Sequence, residues 1–138
     1  MYIVIHFFLL VGSEDGRDIE KQMVQSAGNS YAFSENFDEI CFMAPYARAE
    51  ALINIKKLSV WDNIRVRCKA GYRFPFGGEH DWWIVTFKNE KLDNIYHMSG
   101  YAVRPNIGGV VCKKNKDFKI FIKSSNPNAS NSYRFELF

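Results

Sequence analysis

Apolar and polar positions change period once along this chain, near Trp61. Before that point apolar residues recur at three- and four-residue spacing. Ile19, Met23, Val24 and Ala27 form such a stripe between Asp15 and about Phe33, with Asp15 placed to cap a helix start and Gly28 to end it. A second helix is predicted from Pro45 through "YARAEALINIKKL". Proline suits the first helical position there, the alanines with Leu52 and Ile55 supply propensity and an apolar face, and Lys56 and Lys57 complement the dipole at the end.

Beyond Trp61 the pattern alternates. In "IRVRCKAGYRF" the residues Ile64, Val66, Cys68, Ala70 and Tyr72 share one side of a predicted strand, with Arg65, Arg67, Lys69 and Arg73 on the other. "DWWIVTFKNEKLDNIYHMSG" reads as two strands turning at Asn89-Glu90-Lys91, and "GVVCKKNKDFKIFIKSS" as two more turning at Asn115-Lys116-Asp117. "SYRFELF" alternates as a last strand, after a loop-like "SSNPNASNS". The order predicts an α+β fold, with N-terminal helices packed on one face of an antiparallel β-meander of about five to six strands. Arg65, Arg67, Lys69, Lys119, Phe121 and Lys123 would then lie on the opposite face, which is either solvated or a surface for an acidic partner.

Composition narrows the picture. A chain of 138 residues is the size of one domain, here expected over residues 14–138, and its 16% aromatic content implies a thin core filled by large rings. The formal charge of +3 conceals an asymmetry. Residues 14–40 carry seven acids against Arg17 and Lys21, a net of −5, so the other 111 positions sum to +8. "MYIVIHFFLLVGS" resembles a short secretory signal ending before Glu14, although no basic residue follows Met1. A first β-strand is the competing reading, because Ile3, Val4, Ile5, Phe7 and Phe8 favour extended structure. The run is too short to span a bilayer as a helix, and no integral membrane segment is expected in the mature chain. Export places the protein in the periplasm or outside the cell, whereas a buried first strand would leave it in the cytoplasm.

The three cysteines have neither metal-ligand nor Cys-x-x-Cys spacing. In an oxidising compartment Cys68 and Cys112, both on predicted strands, are the favoured pair. "YRFPFGGEHDWWIVTF" concentrates aromatics around Glu79-His80-Asp81. Adjacent residues of an extended loop point apart, so this triplet is the polar tip of a hairpin and not a ready catalytic set. With Phe74, Phe76 and Trp82 it makes an aromatic tip able to plug a cleft.

The favoured function is therefore a noncatalytic exported protein that binds and inhibits another protein, such as an immunity protein against a bacteriocin or secreted toxin, with no cofactor or metal. Its partner-binding residues are expected to be Phe74, Phe76, Glu79, His80, Asp81, Trp82, Arg65, Arg67 and Lys69, facing an acidic toxin or hydrolase. One alternative is an α+β cone domain that binds a small molecule or acts as an isomerase or hydratase, with Glu79, His80 or Asp38 as general base. A polyanion binder is the third, with nucleic acid the less favoured partner, and would show affinity that falls steeply with salt.

Overall fold

The computed structural model describes residues 14–69, 81–100, 102–114, 118–124 and 133–138. Three helices and nine strands are formed among them: β1 (Glu14–Asp15), α1 (Arg17–Gln25), β2 (Ser30–Tyr31), β3 (Glu39–Met43), α2 (Ala49–Lys56), α3 (Val60–Lys69), β4 (Trp82–Lys88), β5 (Lys91–Met98), β6 (Val103–Pro105), β7 (Val110–Lys114), β8 (Ile120–Ser124) and β9 (Tyr133–Leu137). The α+β class is as expected, with all three helices in the N-terminal half. The strands, however, divide between two sheets, in the orders β1-β5-β4-β3-β7 and β2-β8-β9-β6. Pairing is antiparallel except for β1 with β5 and β6 with β9.

The first sheet is the middle layer. Its central strand β4 reads Trp-Trp-Ile-Val-Thr-Phe and is buried at all six positions, as a strand covered on both faces must be. Cys41, Met43, Trp83, Val85 and Phe87 point to one side, where Ala49 and Leu52 of α2 and Val66 of α3 cover them. Ile40, Phe42, Trp82, Ile84 and Met98 point to the other, against Met23 of α1 and Ile120, Ile122 and Phe135 of the second sheet. The β4–β5 register slips between Thr86 and Phe87, which brings Leu92 and Ile95 to the same, helix-facing side. Asn89 and Glu90, both at positive φ, make the two-residue turn between these strands.

Close approaches fix the periphery. Gly16 donates to the His97 carbonyl at 2.9 Å, and a Cβ there would collide with that carbonyl and the Met98 sulfur, so only glycine fits where α1 meets β5. The buried Glu20 carboxylate then pins α1 to the end of β5, accepting from Ser99 Oγ (2.8 Å) and the Gly100 N–H (3.0 Å).

Two sequence expectations are corrected. Residues 64–69, expected in a strand, belong to α3: Val66 turns inward, beside Asp62 one turn earlier, while Ile64 and Cys68 point out. The expected Cys68–Cys112 pairing also fails. Cys41 and Cys112 lie directly opposite each other on β3 and β7, Cα to Cα 4.0 Å, and form the disulfide, leaving Cys68 as an exposed thiol.

Candidate protein-binding face

Among the described residues the exposed large apolar side chains, Phe138 apart, belong to the α2–α3 layer and the turn that leads into it. The orientation of that layer follows from the first turn of α3. Ser59 caps that turn, its Oγ accepting from the Asp62 N–H at 3.2 Å and its carbonyl from the Asn63 N–H at 2.8 Å. Asp62 is buried and accepts the Leu92 N–H at 3.1 Å. Arg65 reaches across to the same strand and donates to the carbonyls of Leu92 (3.1 Å) and Asp93 (3.2 Å). With Asp62, Arg65 and Val66 committed to β5 and the core, the helical repeat turns Val60, Trp61, Ile64 and Cys68 outward.

Val60 is 80% exposed, and Trp61, Ile64 and Ile55 of α2 are also exposed. Tyr46, 76% exposed, stands in the turn that leads into α2. That turn is closed by the Ala47 N–H donating to the Ala44 carbonyl at 3.0 Å, with Pro45 second and Tyr46 third at φ 68°. A turn of this form favours glycine in its third place, so a bulky aromatic is held there against backbone preference. The other positive-φ residues that are not glycine have regular roles, Lys57 as the C-terminal cap of α2 and Asn89 and Glu90 in the hairpin turn.

The layer is also basic. Residues 48–69 carry six basic against two acidic side chains, a net of +4, more than the +3 of the whole chain. Some of this charge is used internally. Arg67 donates to Asn63 Oδ1 (2.7 Å) and Glu50 Oε1 (2.8 Å), and Glu50, bonded to its own backbone N–H and to Arg67, has its carboxyl held below the usual carboxylate range. Lys56 pairs with Glu39 and lies over the Phe87 ring, 5.1 Å from its centroid. Arg48 and Lys57 stand exposed beside the apolar stripe.

Comparison with protein-family models, with characterised proteins and with solved structures finds no match to this chain.

The expected site residues fall in several places. Phe74, Phe76, Glu79 and His80 lie outside the described residues, as does the expected signal at 1–13. Asp81 is half-buried, its Oδ1 2.9 Å from His97 Nε2, tying the residue before β4 to the end of β5, with the Trp83 ring 5.8 Å from the imidazole. Trp82, expected on an exposed tip, is instead fully buried: it packs against Phe135 at 5.0 Å and donates from Nε1 to the Val103 carbonyl at 2.9 Å. Arg65, Arg67 and Lys69 lie on α3 and not on a sheet face, with Arg65 turned to β5 and Arg67 to Asn63 and Glu50. Among the described residues no three metal-ligating side chains gather, and no helix is long and apolar enough to cross a membrane.

Val60, Trp61, Ile64 and Tyr46 were not singled out by the sequence. Two signals point to them in retrospect: the four-residue spacing of Val60, Ile64 and Cys68 opposite Asp62 and Val66, and a tyrosine directly after Pro45 where a turn favours glycine.

Proposed function

We propose that this chain is an exported, noncatalytic protein that acts by docking its α2–α3 face on an acidic surface of another protein, in the manner of an inhibitor or immunity protein. The observation that carries the reading is the exposure of Ile55, Val60, Trp61 and Ile64 on one basic helical layer, with Tyr46 exposed in the turn that leads into it. Apolar side chains gathered on a surface mark interaction sites, and tryptophan and tyrosine are the residues that most often dominate binding energy. The net +4 of the layer selects an acidic partner and speeds encounter with it. The Cys41–Cys112 disulfide supports the exported part of the reading, because such bonds persist in oxidising compartments.

The test is photocrosslinking in the native host, with p-benzoylphenylalanine at position 61 and, as control, at Lys88 on the β4–β5 hairpin. A single dominant adduct from position 61, to a protein of acidic surface and suppressed by Ile64→Asp, is expected. Equal adducts from both positions, or none from position 61, would overturn the reading.

A further inference from the structure

A second site lies away from the helical layer, where the β2–β8 edge of the second sheet meets the first. Here Tyr31 of β2, Phe33 and Phe37 of the following connection, and Phe118 and Lys119 before β8 line a half-open cavity of about 340 Å³. Its walls are aromatic and fixed. Phe33 meets Phe37 at 5.9 Å and the Tyr96 ring edge-on at 5.8 Å, while Phe118 meets Phe37 at 6.3 Å and Phe42 at 6.1 Å. Tyr31 is immobilised by donating from its hydroxyl to Gln22 Oε1 at 3.0 Å. One cation belongs to the lining, Lys119, whose ammonium forms no ion pair among the described residues.

We propose that this cavity binds a small aromatic monocarboxylate, with the flat ring system between Phe33, Phe37 and Phe118 and the carboxylate on Lys119. Size sets the body of the ligand. An apolar cavity of about 150 Å³ accepts benzene, so one of roughly twice that volume accepts a bicyclic ring with a short acidic arm. Ring geometry sets the flatness, since tilted and edge-on aromatics present faces and edges to a planar guest. Charge sets the head group. Lys119 attracts one negative charge, and Glu35, close enough to act electrostatically on Tyr31, disfavours a second.

The probes are 2-naphthoate and its neutral isostere 2-naphthamide, titrated calorimetrically into the full chain. Saturable one-site binding of 2-naphthoate is expected, about fivefold tighter than the amide, as one screened ion pair contributes. Lys119→Met should remove that preference and leave the two probes equal. Ala32→Trp, a change at an exposed rim position, should abolish binding of both while near-ultraviolet circular dichroism stays that of the parent; Ser30→Phe blocks the same rim should the first variant fold poorly. Absence of saturable 2-naphthoate binding to the parent, or binding that survives a folded rim-blocking variant, would overturn the site. Equal affinity of the parent for acid and amide would overturn the assignment of a carboxylate.

Discussion

Tyr46 is retained in a left-handed turn position, almost fully in solvent, where it gains little from packing. Such a conformation costs a residue with a side chain about 1 kcal/mol relative to glycine. Tyr46→Gly is accordingly expected to raise stability by about 1 kcal/mol in urea denaturation while weakening the crosslink from position 61. A variant that loses stability would mean that the ring packs on the fold and is not displayed. Tyr31 shows the opposite economy. Burial, and secondarily the nearby Glu35, push its phenol up to about 12 from an ordinary value of 10.0. Between pH 10 and about 12 the unfolded chain has released this proton and the folded chain still holds it. The stabilisation is complete below pH 10 and disappears as pH climbs through about 12. Comparing urea midpoints of the parent and Tyr31→Phe, whose ring cannot ionise, the parent should lose on the order of 2 kcal/mol more across that window. Parallel pH profiles would show that Tyr31 is solvated in the folded state.

At the scale of elements, the join between α3 and β5 carries the orientation of the proposed binding face. Asp62→Ala leaves the Leu92 N–H buried without its acceptor and should cost about 2 kcal/mol, whereas Arg65→Met keeps the aliphatic stem and should cost about 1 kcal/mol. The side chains are 3.6 Å apart and serve the same strand, so the double variant should cost less than the sum of the singles, read from urea midpoints. Additive losses would mean that the two residues act independently. This join is also where the sequence misled. The β4–β5 hairpin, α1, α2 and the strands β7, β8 and β9 were legible, because each has either an uninterrupted apolar run, an amphipathic period or a strong turn. In α3 the series Ile64, Val66, Cys68 satisfies a period of two, but its first and last members are also four residues apart, the spacing of one helical face. Five positions cannot separate those periods, and what decides is Asp62 and Arg65 reaching β5, a contact with no local signature. The division into two sheets was hidden for a related reason: alternation tells which side a residue faces, not which strand lies beside it. The clue that was present is Trp82 to Phe87, six apolar or tolerated residues in succession, which marks a strand covered on both faces and so a third layer.

For the molecule as a whole, the disulfide is the feature that joins stability to location. It links β3 to the edge strand β7 across 71 positions of sequence, enclosing α2, α3, the β4–β5 hairpin and β6 in one covalent loop. Constraining so long a loop in the unfolded chain contributes about 4 kcal/mol, so reduction should lower the urea midpoint by a corresponding amount, with the α2–α3 face exposed to earlier loss than the second sheet, which lies outside the cross-linked strands. A Cys68–Cys112 pair needs Cys68 on a strand; the helical period instead places Cys68 on the solvent side of α3, and the β3–β7 register sets Cys112 against Cys41. Alkylation followed by intact-mass measurement, on protein taken directly from its native compartment, distinguishes these states. Denatured without reductant, the chain should take up one alkyl group, on Cys68; after reduction it should take up three, one for each cysteine. Peptide mapping that locates the first label on Cys41 or Cys112 would overturn the pairing. Three labels without reductant would mean that the protein lives with its thiols reduced, and the exported inhibitor would give way to a protein that works inside the cell.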